Sequence, residues 1–585
     1  MGVAYHAHAR FLDAHGNRIT VPAPFDPATP HAPWWYDWIA AHAEPLRRAG
    51  FTAILYPPVC KTQSGGAPTG DGYGVFDQYD LGAKPQQGSV ETRFGSRELL
   101  KRSIAVAHAC GLDVYIDVVM HQLSGAANGT YDYLGADGKT KNGRFPKRPG
   151  CFRGPPPRRP ADPVPVPSAD FPFGDEFVYV HCEPPGYTQN AMIAFGEWLT
   201  RSLDIQGYRV DDTKGMAVAF VHDWMTSGAM AGRYCVSEYF DGNPDALAWW
   251  VHGSGMDGRS AVFDFTLHWA LQGMCDDGGF DMMQLDGAGY AARDPMNAVT
   301  FVDNPDTDLS PGQPIISNKL LAYAFILTTE GYPFVYHKDY AESPGCYGLK
   351  KWIDNLVWIH ETLANGPTTT RWNDDKTIVL ERLGAPGLLT GISSDVWNPR
   401  TITCQTAFGA NVQLHDYTGR HGDVWTDWNG RATFTLPSNA FGGGQSYLCF
   451  SRAGQDRAFS LRDRATTQTF FGAADLDIPP APITGSVTAG RIYCAAHKPV
   501  EAAIRFSGHA PADAALSVSV VAPGGSVLGT HHAGAGGAPR PIKVTAGASG
   551  WHELRVSGRG LATETPYEVD VVYTATQTLP PEPPR

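Results

Sequence analysis

The feature that most constrains the fold is an alternation of short apolar runs with longer helical patterns over about the first 375 residues. Each run is short and apolar on both faces, as expected of a buried parallel strand. The patterns between them, such as SRELLKRSIAVAHACG, have helical spacing and close on glycine. A further first strand is expected before residue 25. Repeated strand–helix units in this number predict a (β/α)8 barrel rather than an open sheet. The runs are FTAILYPP (51–58), LDVYIDVVM (112–120), GYRVDD (207–212), RYCVSE (233–238), AVFDF (261–265), AVTFVDN (298–304) and YPFVYH (332–337).

One interval breaks this rhythm. Between residues 121 and 190 the strand–helix alternation stops, and the stretch 147–175 is too rich in proline for a helix or a strand. Its tyrosine, phenylalanine and cysteine content argues against a disordered loop. The sequence therefore predicts a catalytic barrel formed by 1–120 and 191–375, with an inserted subdomain at 121–190 after the third strand.

The chain beyond residue 375 is predicted to be all-β. Alternating runs indicate a small antiparallel sandwich at 376–455, and a second β-sandwich module follows at 470–585. Within the second block, 515–530 is predicted to form a hairpin and 567–576 a last strand. The tail LPPEPPR is expected to be frayed. The fold class is thus multidomain: a (β/α)8 TIM barrel with an inserted subdomain, followed by two all-β sandwich domains.

Charge, hydropathy and cysteine spacing exclude several classes of protein. The net charge is −13 and no basic run is present, which argues against nucleic acid as a partner. No run approaches the ~18 apolar residues of a membrane span. The first residues lack the pattern of a signal peptide, so a cytoplasmic protein and the mature form of a secreted protein both fit. The ten cysteines stand singly, which excludes a zinc ribbon or a disulfide scaffold but leaves single bridges open.

Acidic side chains are predicted to gather where the barrel strands end. Chemistry in a (β/α)8 barrel lies at the carboxyl ends of the strands. Carboxylates and one arginine there, without a His/Cys ligand set, favour glycoside chemistry over metal chemistry. One carboxylate would attack the anomeric carbon, a second would stay protonated and donate to the leaving oxygen, and the arginine would keep the first ionised. The residues at the strand ends are Asp117, Arg209, Asp211, Glu238, Asp303 and Asp306.

Four motifs carry a resemblance to a known family. GYRVDDTKG, VSEYFDG, DVVMHQ and FVDNPDT resemble the four conserved regions of the α-amylase family of retaining glycoside hydrolases. GDGYGVFDQYDLG and DVWTDWNG are similar to liquefying-type α-amylases, so the resemblance covers about residues 50–450. It implies hydrolysis of α-linked glucans or oligosaccharides through a covalent glycosyl-aspartate intermediate, with an α-linked oligosaccharide or polysaccharide as the partner.

The resemblance also assigns roles to individual residues. It implies that Asp211 is the nucleophile, Glu238 the general acid/base and Asp306 the third carboxylate. Further positions that match the family are Arg209, which supports the nucleophile, Tyr73, the aromatic platform at the cleavage point, Lys214, which contacts sugar on the leaving-group side, and Asp117, which is usually structural.

This sequence departs from the family pattern at the sugar pocket. His121 and Gln122 stand where the family has Asn-His, and Pro305 stands where it has His. Those two histidines normally hydrogen-bond sugar hydroxyls, whereas proline has no side-chain donor and glutamine carries no charge. The departures predict an altered pocket that prefers a different or differently linked sugar, or one in which His121 supplies a replacement contact. An ordinary, slower amylase remains the alternative.

The calcium site of the family is also changed. The resemblance implies a structural calcium held by the side chain at 121, the backbone near 215 and an aspartate before the fourth strand. Here His121 is a poor calcium ligand, Gly215 replaces a histidine, and only Glu183 lies near the expected aspartate. The usual site is therefore predicted to be dismantled, with no cofactor expected. A different cation site remains open among Asp162, Asp170 and Asp175.

Three functions remain open from the sequence. The first is a retaining α-glycoside hydrolase. The second is a transglycosylase of the same family on an unusual α-linked sugar, which uses the same covalent intermediate. The third is a carbohydrate-binding protein that has lost turnover. The C-terminal block offers only Trp551 and Tyr567 as candidate exposed aromatics, so a structural or spacer role is predicted for it rather than starch binding.

Overall fold

The computed structural model describes most of the 585 residues. Asp170 and the tail at 579–585, both subjects of a prediction above, lie outside the described residues. The described ranges are 2–8, 34–67, 70–127, 130–135, 144–154, 162–163, 174–343, 345–440, 444–472, 485–534, 540–559 and 565–577.

Eight strands close into a parallel barrel, as predicted. Their order is β1-β12-β11-β10-β9-β8-β5-β2, and two ribbons, β3–β4 and β6–β7, lie outside it. The first strand lies before residue 25, as expected, and each predicted run contains one barrel strand. The strands up to residue 340 are β1 Ala4–His6, β2 Ala53–Tyr56, β3 Lys61–Thr62, β4 Val75–Asp77, β5 Asp113–Val118, β6 Gln122–Leu123, β7 Asp175–Glu176, β8 Gly207–Val210, β9 Tyr234–Ser237, β10 Ala261–Phe263, β11 Ala298–Phe301 and β12 Tyr332–Tyr336.

Helices alternate with these strands and begin at recognisable caps. The Ser96 side chain accepts a hydrogen bond from the Leu99 N–H and caps the second helix, and Asp264 caps the sixth in the same way. No helix among the described residues is long and apolar enough to cross a bilayer. The helices are α1 Trp35–Ala49, α2 Arg97–Ala109, α3 Tyr187–Leu203, α4 Val218–Thr226, α5 Pro244–Ala248, α6 Phe265–Asp276, α7 Pro305–Leu309, α8 Lys319–Thr328, α9 His337–Tyr340 and α10 Lys350–Leu363.

The chain divides into two compact units. The described residues of the first unit fall within Met1–Ile19, Leu46–Leu55 and Val236–Ser460, and those of the second within Thr20–Pro45, Tyr56–Cys235 and Leu461–Arg585. The ten cysteines all lie within the described residues and form no disulfide bond there.

The first unit combines barrel strands with antiparallel sheets. Its barrel core includes Phe263, whose ring packs edge-on against those of Phe301 and Phe334. A six-stranded sheet of order β13-β14-β15-β20-β17-β18 and a two-stranded sheet β16–β19 follow. These strands are β13 Thr368–Asn373, β14 Thr377–Arg382, β15 Leu388–Ser393, β16 Arg400–Gln405, β17 Gln413–Asp416, β18 Val424–Trp425, β19 Arg431–Leu436 and β20 Tyr447–Arg452.

The second unit contains the rest of the barrel and two C-terminal sheets. The sheets have the orders β21-β28-β23-β26 and β22-β27-β24-β25. The predicted hairpin at 515–530 and the last strand near 567 are confirmed. The strands are β21 Thr466–Gly472, β22 Ser486–Cys494, β23 Pro499–Phe506, β24 Ala515–Val521, β25 Val527–Gly534, β26 Ile542–Thr545, β27 Gly550–Arg559 and β28 Tyr567–Tyr573.

Within the second unit the C-terminal sheets pack against the barrel helices α2 and α3. His108 of α2 has its Nδ1 atom 2.9 Å from the Thr466 hydroxyl at the start of β21. Arg201 of α3 forms an ion pair with Glu568 of β28. These side chains lie wholly or largely out of water, so the contacts are part of a packed interface. The boundaries predicted for the separate domains stay a prediction.

Candidate active site

A buried guanidinium organises the part of the site that lies in the second unit. Strands β5 and β8 pair with Asp117 opposite Arg209. The Arg209 Nη1 atom lies 2.8 Å from both carboxyl oxygens of Asp117 and 2.6 Å from Oδ1 of Asp211. The Asp211 residue directly follows β8, and its N–H donates to the Val118 carbonyl. One cation therefore holds two carboxylates in fixed positions at the end of the strand.

Tyr73 completes this group. Its hydroxyl donates to Oδ2 of Asp117 at 2.8 Å, and the Arg209 guanidinium carbon lies 5.4 Å from the centre of its ring. The Asp71 carboxylate accepts the Tyr73 N–H. We refer to Tyr73, Asp117, Arg209 and Asp211 as the Arg209 cluster. A charge-assisted hydrogen bond from the guanidinium favours the ionised carboxylate of Asp211, which is the form that can attack carbon.

His121 is held by its neighbours in the same unit. Its Nδ1 atom lies 2.9 Å from the Gln122 amide oxygen and 3.2 Å from the nearest Asp212 carboxyl oxygen. A Cβ atom placed on Gly215 would lie 2.5 Å from His121 Nε2. The imidazole therefore fills the space that a side chain at 215 would need, and the two departures from the family pattern at 121 and 215 compensate each other sterically.

The same geometry does not fit the calcium ion that the resemblance implies. Calcium takes six to eight oxygen ligands, whereas the buried imidazole of His121 presents nitrogen beside Gly215. Glu183 is exposed and stands in a loop. No group of three or more His, Cys, Asp or Glu side chains that could hold a metal is present among the described residues.

Asp162 and Asp175, which were predicted with Asp170 as an alternative cation site, make hydrogen bonds within the protein. The Asp162 carboxylate accepts the backbone N–H groups of Val180 and His181 at 3.1 and 3.0 Å. The Asp175 carboxylate accepts the Tyr131 hydroxyl at 2.7 Å. Both groups thus fix the inserted segment.

Asp306 lies in the first unit, in the first turn of α7. The Asn304 side-chain oxygen accepts the N–H groups of Asp306 and Thr307 at 2.9 and 2.8 Å, which caps this short helix. Pro305 occupies the first helical position, where a missing N–H costs nothing and a fixed φ is favourable. The proline therefore fits the backbone conformation that presents Asp306.

Glu238 directly follows β9 in the first unit and is buried. The next residue, Tyr239, stacks on Trp250 with ring centres 5.1 Å apart. The preceding Ser237 hydroxyl lies 2.8 Å from that of Ser260. Both neighbours of Glu238 are thus anchored, which restricts where its carboxyl group can point.

Lys214 is the remaining predicted site residue. It lies in a short 3₁₀ turn, Thr213–Gly215, and its side chain is half-buried. The structure therefore groups Tyr73, Asp117, Arg209 and Asp211, and it groups His121 with Gln122. Glu238 directly follows β9, and Asp306 lies five residues after the end of β11.

Besides Arg209 in the second unit, a buried cation lies in the first unit, and the sequence analysis did not predict it. Lys319, at the start of α8, contacts the Asp303 carboxylate and lies 2.8 Å from Oδ1 of Asp339. We call these three residues the Lys319 cluster. Asp303 was predicted only as one of the strand-end acids. One signal in the sequence could have indicated this cation. A single lysine begins the otherwise apolar run NKLLAYAFIL, and a buried helix carries a charged residue only where that charge has a partner.

Burial dominates the electrostatics of the Lys319 cluster. Desolvation raises the pKa of the Asp303 carboxyl above its ordinary value. Burial alone would lower the pKa of Lys319, but the carboxylates of Asp303 and Asp339 outweigh it and raise that pKa. The ammonium therefore stays charged and neutralises the site.

Comparisons with known proteins agree with this geometry. No protein-family model matches the chain. It is 28% identical over 501 residues to a glucan 1,4-α-maltohexaosidase of Bacillus sp. (strain 707), covering 74% of this chain and 91% of that protein. It is also 28% identical over 478 residues to an α-amylase of Geobacillus stearothermophilus, covering 70% of this chain and 81% of the relative.

Solved structures show the same fold. An α-amylase from Geobacillus thermoleovorans, complexed with acarbose, superposes with a TM-score of 0.54 at 16% identity, covering 78% of this chain and 99% of that one. A γ-CGTase from alkalophilic Bacillus clarkii superposes with a TM-score of 0.56 at 18% identity, covering 93% of this chain and 79% of that one.

The closed parallel barrel is a (β/α)8 barrel, and the similarity to curated α-amylases makes the chain an α-amylase-like glycoside hydrolase. The relatives are α-amylases and glucan hydrolases, and the four family motifs lie on the barrel strands and the turns that follow them. These similarities support the α-amylase family for this chain.

Proposed function

We propose that the protein hydrolyses α-linked glucans with retention of configuration. Asp211 attacks the anomeric carbon, the C–O bond to the leaving sugar breaks, and Glu238 donates a proton to the departing oxygen. Water then attacks the glycosyl ester on Asp211 while Glu238 takes its proton. Asp306 is the third carboxylate, which binds sugar hydroxyls.

The contact between Arg209 and Asp211 carries this proposal. At 2.6 Å the guanidinium both orients the carboxylate and keeps it ionised. Asp117 contacts the same Nη1 atom and accepts the Tyr73 hydroxyl, so the guanidinium beside the nucleophile is itself held in place. Both α-amylases and glucan hydrolases among the relatives support an α-glucan as the substrate.

Product analysis tests the proposal. Maltooligosaccharides of defined length, soluble starch and a panel of other α-glucosides would be incubated with the native protein, and the products followed by chromatography and by proton NMR of the newly formed anomer. We expect α-anomeric products that appear before mutarotation. First-formed β-anomers would contradict retention, and the absence of turnover on every substrate would favour the carbohydrate-binding alternative.

The same products distinguish hydrolysis from transglycosylation. The two reactions share the glycosyl ester and differ in the acceptor. Release of one reducing end per bond cleaved indicates hydrolysis, whereas longer or cyclic products without new reducing ends indicate transfer. The fold shared with a γ-CGTase over 93% of this chain makes this measurement necessary.

We also propose an altered sugar pocket at the cleavage point. Two observations support this. Gln122 stands where the family has one histidine and contacts His121. Pro305 stands where the family has the second histidine and is the first residue of α7. Each lost hydroxyl contact is worth about 0.5–1.5 kcal/mol. The specificity constant on maltoheptaose would be compared for the native protein and for Gln122→His with Pro305→His. A gain of about tenfold supports the proposal. An already efficient native enzyme with no gain contradicts it.

Stability without calcium is a further part of the proposal, supported by the His121–Gly215 packing. Dialysis against a chelator should leave Tm unchanged. The matched variant is His121→Asn with Gly215→His, which restores the family residues at both positions. A fall of many degrees in the native protein after chelation would show that a bound cation stabilises it.

A further inference from the structure

A buried lysine ammonium in the second unit is surrounded by backbone carbonyl oxygens. The Lys61 side chain, on β3, is 0% exposed. Four carbonyl groups of the segment 84–91 accept hydrogen bonds from its Nζ atom. They lie at 3.3, 2.9, 2.7 and 3.0 Å and belong, in that order, to Lys84, Ser89, Val90 and Glu91. A fifth oxygen, Oδ2 of Asp80, lies 3.5 Å from Nζ. We call these five oxygens the carbonyl cage.

The carbonyl cage offers more acceptors than the ammonium has donors. A lysine ammonium has three N–H groups, whereas five oxygens surround the Nζ atom of Lys61. A buried lysine is normally paired with a carboxylate, as Lys84 is with Asp77 at 2.8 Å. For Lys61 the carboxylate of Asp80 lies farther from Nζ than each of the four carbonyl oxygens. The oxygens therefore surround the ammonium as they would surround a metal ion.

Hydrogen bonds that do not involve the ammonium also fix the cage. The Asp80 carboxylate accepts the Ala83 N–H through Oδ1 and the Gln86 side-chain amide through Oδ2, both at 2.8 Å. At the other end of the segment, the Ser89 hydroxyl donates to the Glu91 carbonyl at 2.7 Å. The positions of the cage oxygens thus do not depend on Lys61 alone.

Distance and charge both favour a large monovalent cation at the centre of the cage. Calcium binds oxygen at about 2.3–2.6 Å and magnesium at about 2.0–2.1 Å, whereas the cage oxygens lie 2.7–3.5 Å from Nζ. Potassium is the metal ion that backbone carbonyls coordinate in channel filters, and ammonium is the group already present. The Asp80 carboxylate at the cage balances one positive charge.

The cage lies beneath a surface loop and is tied to the candidate active site. Val90 is 42% exposed, so an ion from solvent has only this segment to pass. Lys61 of β3 pairs with Asp77 of β4. Tyr73, a member of the Arg209 cluster, stands two residues before β4. The cation therefore fixes one side of the ribbon that leads to Tyr73.

We propose that the segment 84–91 and Asp80 form a monovalent-cation site whose resident ion is the protein's own Lys61 ammonium. Free potassium or ammonium binds there when the side chain at position 61 no longer reaches the cage. Because the native ion is covalently attached, neither dilution nor a chelator removes it from the ribbon that leads to Tyr73.

Thermal unfolding in different chloride salts tests the site. Lys61→Leu keeps the apolar stem of the side chain and leaves the ammonium position open. At constant ionic strength, potassium or ammonium chloride is exchanged for tetramethylammonium chloride, whose cation is too large for the cage. We expect the Tm of the variant to rise by about 2–4 °C, with saturation as the ion concentration increases. The native protein should show no such rise, because its own ammonium occupies the cage.

Lys84→Leu is the matched control. It also removes a buried ammonium from this segment, but that ammonium contacts the Asp77 carboxylate, and the Lys84 backbone carbonyl stays in the cage. We therefore expect no rise in Tm that is specific to potassium or ammonium.

A saturable rise confined to Lys61→Leu supports the site. No rise in the folded variant overturns it, as does an equal rise in the native protein or in Lys84→Leu. A larger rise with calcium chloride than with either monovalent salt overturns the assignment to a monovalent cation. If Lys61→Leu does not fold, Lys61→Ala is refolded in each salt. Recovery only with potassium or ammonium then supports the site, and failure in every salt overturns it. These measurements need no turnover, so they stand apart from the test of the proposed function.

Discussion

The Arg209 cluster and the Lys319 cluster have the same arrangement of charge but differ in exposure. Each places one cation between two aspartates. The Asp211 side chain is 11% exposed, whereas those of Asp303 and Asp339 are 0% exposed. A carboxylate that no solvent or ligand can reach has no substrate to act on. The charge pattern alone therefore does not distinguish the proposed nucleophile Asp211 from these buried aspartates, whereas its exposure does.

The difference also predicts what each cluster controls. In the proposed mechanism the Arg209 cluster keeps the nucleophile Asp211 ionised, so changes there should appear first in the rate. The Lys319 cluster neutralises charge that the fold has removed from water, so changes there should appear first in stability. Four experiments test this division.

Asp211→Asn should have the largest effect. The amide cannot form the glycosyl ester, and we expect kcat on maltoheptaose to fall on the order of 10⁴-fold. The variant should stay folded, because it removes one of two like charges around Arg209. Steady-state kinetics and calorimetric Tm check both points. More than a tenth of the native rate in a pure sample would exclude Asp211 as nucleophile.

Lys319→Met should mainly reduce stability. It leaves Asp303 and Asp339 buried without a counter-charge, and breaking a buried ion pair typically costs about 3–5 kcal/mol. Denaturant unfolding measures the free energy, and Lys319→Arg is the control that keeps the charge. A variant as stable as the native protein, or one whose folded fraction has lost its activity, would contradict the division.

His108 extends the comparison to a fully buried titratable side chain in the second unit. Burial, assisted by Arg464, lowers the pKa of His108 to about 3. The unfolded chain takes up a proton near pH 6.5 and the folded protein does not, so stability is present above pH 6.5 and is lost as pH falls. Between pH 6.5 and 4 the loss from this group is about 3 kcal/mol.

Unfolding at pH 7.5 and at pH 4.5 checks this expectation. The native protein should lose more stability between the two values than His108→Gln, whose side chain does not titrate. Equal losses in the two proteins would show that acid acts through other groups.

Arg209→Lys should have the smallest effect of the four. The shorter side chain keeps a positive charge but cannot reach both carboxylates in the geometry of Nη1. We expect kcat/KM to fall about 10- to 100-fold, or ~1.4–2.7 kcal/mol, with Tm within a few degrees of native. A large drop in Tm without a change in rate would make Arg209 structural, like Lys319.

The barrel could be predicted from the sequence because its signals are local. Each strand is a short apolar run, and its period is readable without knowing what it contacts. The strand-end residues Asp117, Arg209 and Asp211 follow from the same runs, because a strand's end determines which side chains reach its carboxyl edge. The antiparallel hairpin at 515–530 was equally local, with Gly524-Gly525 at its turn.

The tertiary structure alone decided which side chains meet across long separations. His121 packs against Gly215, Lys319 joins Asp303 to Asp339, and the C-terminal sheets contact α2 and α3. It also showed that Pro305 begins a capped helix, where the sequence indicated only a missing histidine. The physical reason is that burial and counter-charge depend on which elements face each other, and no hydrophobic period along the chain records that.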